Sequence, residues 1–424
     1  MSWTLLAVSL LGALCTWNAH HPRAAGSKLG LPSFLFGWLT GELAVHHIAW
    51  QALATALFIG GGALDGWPGW LGLLVTLGSW WGLLRLLPVA RQSQVAIERA
   101  LCEGLGDRYA AGLTRWPLTP EPPRGRLALP FWLTDPAVQI TRDLRYADGA
   151  ERRHLLDVYA PRAGTEHAPV LLQIHGGAWI MGEKREQARP LMNHMAARGW
   201  VCVAINYRLS PKHRFPAHLL DIKLAIRWIR EHIHAYGGNP DFLVATGGSA
   251  GGHLSALTAL SANDPEYQPG FEQVDTSVRA CVPFYGIYDF ANRYGQPGWE
   301  GMSKFLGERV FERPFAEDPQ AFRKASPVER VHPDAPPFLV IHGDADSLAP
   351  VRESRVFVQA LRERSKSPVA YAEIPGAQHA FEVFHSPRTQ RVVQGVERFL
   401  SHVYARYRDG SGSPGAASKP RLEP

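Results

Sequence analysis

The sequence predicts an α/β domain, a mostly parallel sheet covered by helices and carrying a small lid insertion, preceded by an N-terminal transmembrane helical region. Three observations predict it. Short continuous apolar runs alternate with helical patterns from about residue 140 onward, as a parallel sheet buried on both faces requires. Residues 1–90 carry almost no charge and hold three apolar stretches. A glycine-rich turn, Gly247-Gly248-Ser249-Ala250-Gly251-Gly252, follows one apolar run and precedes an apolar helix.

The three stretches are residues 3–17, 43–64 and 67–89. The last two are each about 20 residues, enough at 1.5 Å per residue to cross a hydrocarbon core about 30 Å thick. The first is shorter and lacks the positive flank of a signal peptide. Arg23 and Lys28 lie in the first connection, none in residues 65–69, and Arg91, Arg99 and Arg108 after the third stretch. Three crossings would then leave the N-terminus outside and everything after residue 90 in the cytoplasm. The expected localisation is therefore a multi-pass membrane protein with the bilayer as a partner. His46, His47 and Gln51 interrupt the second stretch, so a hydrophobic subdomain packed on the rest of the chain or lying in the interface is the other reading.

Residues 91–136 form a Pro-rich connector with Pro117, Pro120, Pro122, Pro123 and Pro130. Proline fixes φ and removes a donor, which predicts an extended linker and not a helix. Residues 137–408 form one folded domain. It opens on a hairpin, with strands at 142–146 and 155–159 around Asp148-Gly149. Strands follow at 170–174, 201–205, 242–246, 278–284, 338–341 and 369–374. Leu219, Ile222, Ile226, Ile229 and Ile233 recur at steps of three and four, one helix face, and Gly237-Gly238 stops that helix. Trp228 and Cys202 read as core. The insertion at 289–333 carries Tyr294, Trp299, Phe305, Phe311 and Phe315; these line an acyl pocket or form a small core under a lid. Residues 409–424 are rich in Gly, Ser and Pro and predict a disordered tail.

Composition narrows the function. At 424 residues, 46% hydrophobic and 19% charged, the chain is too apolar for a disordered protein. Cys15, Cys102, Cys202 and Cys281 stand far apart without a CxxC pair, against a zinc site or disulfide scaffold, so neither metal nor cofactor is expected. The net charge of +6 is scattered, mostly Arg, with no nucleic-acid motif, so no nucleic-acid partner is expected; nor is an obligate protein partner evident.

The turn at 247–252 is a G-x-S-x-G sequence in strand–turn–helix context, where glycines permit a strained turn that exposes the Ser249 hydroxyl. Serine needs a base and an orienting acid to act as a nucleophile, in the chain order Ser, acid, His. Two later strand ends supply them: His342-Gly343-Asp344-Ala345-Asp346 and Pro375-Gly376-Ala377-Gln378-His379. His379 is the expected base and Asp346 its partner; Asp344 instead caps the turn, and His385 begins the next helix region. After the strand at 170–174 comes His175-Gly176-Gly177-Ala178-Trp179. There the N–H groups of Gly176, Gly177 and Ala178, with that of Ala250, are expected to receive a developing oxyanion.

With these motifs the chain resembles the α/β-hydrolase superfamily, in particular its hormone-sensitive-lipase-like and carboxylesterase group, over about two thirds of its length. Asp157-Val158-Tyr159, Asn206-Tyr207-Arg208-Leu209 and Tyr236-Gly237-Gly238-Asn239-Pro240 are also similar to that group. Ala178 stands where the lipase branch carries a third glycine, and Gly248 where it carries Asp; HGGAW and GGSAGG are closer to the feruloyl-esterase-like, prenylcysteine-methylesterase-like and formamidase-like branches. The resemblance implies a serine ester hydrolase acting on a small-molecule or lipid ester through an acyl-enzyme, and the apolar stretches before it make that enzyme membrane-anchored. An amide or formamide hydrolase with the same triad is the alternative, and a non-catalytic membrane scaffold the reading from another class.

Overall fold

The computed structural model describes residues 1–110, 124–149, 152–296 and 298–410. Eight strands form one sheet: β1 (Val138–Arg145), β2 (Leu155–Pro161), β3 (Ala168–Ile174), β4 (Val201–Ile205), β5 (Gly238–Gly248), β6 (Ala280–Phe284), β7 (Phe338–Gly343) and β8 (Val369–Ile374). Their order is β1-β2-β4-β3-β5-β6-β7-β8. The expected hairpin β1–β2 and the β2–β4 pair are antiparallel, and all later pairs are parallel. β3 and β4 are buried along their whole length, because helices cover both faces.

One face packs against α8 (Ala217–His232), α9 (Ala250–Leu260) and α12 (Val351–Arg364); the other packs against α7 (Arg189–Ala197) and α13 (Pro387–Arg408). Leu219, Ile222, Ile226 and Ile229 of α8 are all buried, and Gly237, at φ +80°, ends the following turn in the left-handed region that glycine adopts without penalty. Trp228 and Cys202 are core residues. The insertion folds as α10 (Trp299–Arg309) and α11 (Pro319–Ala325). Its aromatics form a small core: Trp299 meets Phe315 edge-on at 5.0 Å, Phe311 stacks on Phe322 at 4.1 Å, and Phe311 is buried.

The connector departs from expectation. Residues of its first part form helix α5 (Ser93–Leu105), with a single turn of helix, α6 (Arg124–Ala128), further on. No proline lies between residues 93 and 105, and Ile97, Ala100 and Leu101 share one face. That face is buried, with Gly104 against Ala370 of β8 and Ile97 against Gly395 of α13. Pro117, Pro120, Pro122 and Pro123 lie outside the described residues, as do residues 411–424 of the expected tail.

The N-terminal helices are α1 (Ser2–His20), α2 (Gly30–Glu42), α3 (Ala44–Gly60) and α4 (Trp67–Arg91). α1 and the helix starting at Trp67 are long and apolar enough to cross a membrane, and α2 and α3 pass that test only as a pair bent by 90°. α2 had no counterpart among the predicted stretches. α1 runs parallel to α4, with Ser9 Oγ and Thr76 Oγ1 at 2.8 Å and Thr16 Oγ1 and Ser79 Oγ at 2.8 Å. The usual distribution is inverted: Ser9, Thr16, Thr40, Thr55, Thr76 and Ser79 are buried, while Leu10, Leu14, Leu53, Leu57, Leu74 and Trp81 are exposed.

Candidate active site

Ser249 sits between β5 and α9 at φ 57°, ψ −120°, a sparsely populated conformation for a residue with a side chain. Its N–H donates to Phe284 O at 3.0 Å, which ties the turn to the end of β6. The turn presses on the end of β3 so closely that a Cβ on Gly251 would run into Ile174 O. Only glycine fits there.

The loops after β7 and β8 bring Asp346 and His379 together. His379 Nδ1 donates to Asp346 Oδ2 at 2.7 Å, and both side chains are buried. The other carboxylate oxygen accepts the N–H groups of Leu348 and Ala349, each at 2.8 Å. Burial opposes the charge on Asp346, but His379 and His342 beside it outweigh burial and hold the carboxyl well below its usual range. Asp344 does cap the neighbouring turn, accepting the Gly376 N–H at 2.6 Å. His385 precedes α13, whose N-cap is Ser386.

Gly177 has φ +112°, and Ala178 and Trp179 follow at φ 50° and 63°. Among the described residues the N–H groups of Gly177 and Ala178 donate to no protein acceptor. Gly176 differs from expectation here: its N–H donates to Gln187 Oε1 at 2.7 Å, so that donor is already engaged. His175 stacks on Tyr207 at 4.3 Å, and burial pushes its imidazole down to about 4. It is therefore neutral at pH 7, and its Nδ1 donates to Gly176 O at 2.7 Å, which orients the loop. Among the described residues no cluster of His, Cys, Asp and Glu suits a metal.

The family model BD-FAE matches residues 156–361. The chain is 43% identical to "Probable carboxylic ester hydrolase LipM" of Mycobacterium tuberculosis over 97% of its own length and 96% of that protein's. The chain belongs to the α/β-hydrolase carboxylesterase family. It is also 47% identical to the esterase LipQ of the same organism, over 63% of each chain. Esterase B of Lactobacillus rhamnosis shares the fold, with TM-score 0.55 at 19% identity, covering 76% of this chain and 99% of that one.

Several residues of the candidate site of this carboxylesterase had no signal in the sequence. Tyr285 lies at the end of β6, its ring 4.5 Å from that of His379 and its hydroxyl donating to Glu382. Gln378 braces the acid loop, accepting the Ser347 N–H at 2.8 Å and donating to Ser347 Oγ at 2.8 Å. Gln187 follows Gly176 at no recognisable spacing. The similar segments noted above hold the 175–187 loop instead: Asn206 Oδ1 accepts the Lys184 N–H at 2.7 Å, Tyr207 donates to His175 O at 2.9 Å, and Asp157 accepts from Arg185 at 2.7 Å.

Proposed function

We propose that this carboxylic ester hydrolase is a membrane-anchored serine esterase that works through an acyl-enzyme. Ser249 Oγ attacks the ester carbonyl carbon while His379 takes its proton, and the carbonyl π pair moves onto oxygen. The N–H groups of Gly177, Ala178 and Ala250 receive that oxyanion; each such donor is worth about 3–4 kcal/mol in comparable acyl transfer. Collapse expels the alcohol, protonated by His379. Water, deprotonated by the same imidazole, then releases the acid and returns the proton to Ser249. Asp346 fixes the tautomer in which Nδ1 carries hydrogen and Nε2 is the base. The observation that carries this reading is the buried 2.7 Å His379–Asp346 hydrogen bond, formed by loops at the same sheet edge as the strained Ser249 turn.

The inverted N-terminal helices support the membrane part. Leucines facing out and hydroxyls paired inside are costly in water but suit hydrocarbon, where buried hydroxyl pairs hold helices together. Residues 1–90 are then the anchor, 91–136 the connector and 137–408 the catalytic domain. Arg23, Lys28 and Arg91 flank the ends of α1 and α4 nearest that domain, which supports a cytoplasmic catalytic side. The relatives named above are esterases, and the amide reading is set aside.

Ser249→Ala should abolish hydrolysis of aryl butyrates and labelling by a fluorophosphonate probe, with the protein remaining in the membrane pellet after carbonate extraction. Retained turnover would remove the serine mechanism, and release by carbonate would remove the anchor.

A further inference from the structure

Helix α2 belongs to the N-terminal region in sequence but not in position. It lies across the end of α3 at 90° and covers the loops that carry Asp346 and His379. The Phe34 ring stands edge-on to the His379 ring at 6.2 Å. One turn later, Trp38 Nε1 donates to Ala380 O at 3.0 Å, and its ring packs on Phe384 at 5.4 Å. Ser33 Oγ reaches Ser347 Oγ, next to Asp346, at 3.4 Å. At the far end Glu42 meets Arg388 at 2.8 Å, with both side chains 1% exposed, and accepts from Ser386 Oγ at 2.8 Å. The inner face, Gly30, Ser33, Gly37 and Thr40, is small or polar and buried; the outer face, Leu31, Leu35 and Phe36, is apolar and exposed.

A helix with an apolar outer face, set at 90° to the helix that follows it, has the geometry of an element lying flat in a membrane interface. Its inner face is bonded to both catalytic loops at once. Phe34, half-buried, is the α2 side chain whose ring meets the imidazole. We infer that α2 is the membrane-side wall of the catalytic pocket, that Phe34 is a specificity-determining residue beside His379, and that the substrate is an ester with a long alkyl chain drawn from the bilayer. This rests on the serine-esterase reading above. Leu31, Leu35 and Phe36 rest in lipid and hold the pocket mouth at the surface where such an ester is concentrated; they do not touch the reacting groups.

The test uses the full chain reconstituted in vesicles of equal phosphatidylcholine and phosphatidylglycerol. Hydrolysis of vesicle-borne monolaurin is compared with that of a water-soluble aryl butyrate. Phe34→Ala should lower the laurate-to-butyrate ratio of kcat/KM by about tenfold, the scale of a lost apolar pocket contact, with Phe34→Leu in between. Leu35→Asp should lower monolaurin hydrolysis by about tenfold or more while butyrate hydrolysis is kept, because charge disfavours the interface. An unchanged ratio in both Phe34 variants, or monolaurin turnover at the parent rate in Leu35→Asp, overturns the inference. The esterase reading stands or falls separately, on the loss of butyrate hydrolysis in Ser249→Ala.

Discussion

His379 donates through Nδ1 to Asp346 at 2.7 Å, and the same carboxylate oxygen lies 3.3 Å from His342 Nε2. Two imidazoles therefore share one buried anion, but His342 is itself tethered, with Nδ1 at 2.7 Å from Ser354 Oγ and Nε2 at 3.1 Å from Ala349 O. In the proposed mechanism His342 positions the acid, and His379 moves the protons.

Asp346→Asn keeps the shape and removes the charge. In the proposed mechanism kcat should fall by about 10³–10⁴-fold with KM nearly unchanged, since the amide no longer selects the tautomer or stabilises the imidazolium. Steady-state kinetics on an aryl butyrate checks this. A loss below tenfold would assign the orienting role elsewhere.

Gly177→Ala tests the oxyanion loop. The residue has φ +112°, and an added Cβ would run into the backbone carbonyl of Met181. The loop must move, and kcat should drop by about 10²–10³-fold, the range for removing one oxyanion donor. Near-parent kcat would show that the Gly177 and Ala178 N–H groups are not the donors used.

Glu42→Gln tests how α2 is held. The substitution leaves Arg388 buried without its carboxylate, a loss of about 3–5 kcal/mol in comparable buried pairs. Proteolysis in detergent should then cut residues 21–42 much faster than in the parent, before the catalytic domain unfolds. Equal cleavage rates would mean that the Trp38 and Ser33 bonds alone suffice.

Glu353 gives a pH dependence of defined sign. Burial pushes its carboxyl from 4.5 up to about 7, although Oε2 accepts the N–H groups of Tyr288 and Asp289. The stability linked to this group is fully present below pH 4.5 and is lost as pH rises to about 7. Glu353→Gln keeps one oxygen acceptor and cannot ionise. It should be more stable than the parent at pH 8, on the order of 2 kcal/mol, and no more stable at pH 4. Thermal unfolding at the two pH values decides; a gain of the same size at both would exclude ionisation as the cause.

What the sequence determined by itself was local. The strand runs and the α8 stripe from Leu219 to Ile229 follow from side-chain periodicity, and the tight turn at Ser249 from glycine sterics, within a few residues. Residues 93–105 depart from the extended connector because no proline lies among them, the first in the connector being Pro117. The tertiary structure alone decided which long-range surfaces meet. Trp38 and Ala380 lie 342 residues apart, and no local pattern marks α2 as the cover of the His379 loop. Likewise Gln187 on Gly176, Tyr285 against His379, and the insertion's aromatics as core follow from shape and hydrogen-bond satisfaction after the sheet has formed. Periodicity tells which face of an element is buried; only packing tells what it is buried against.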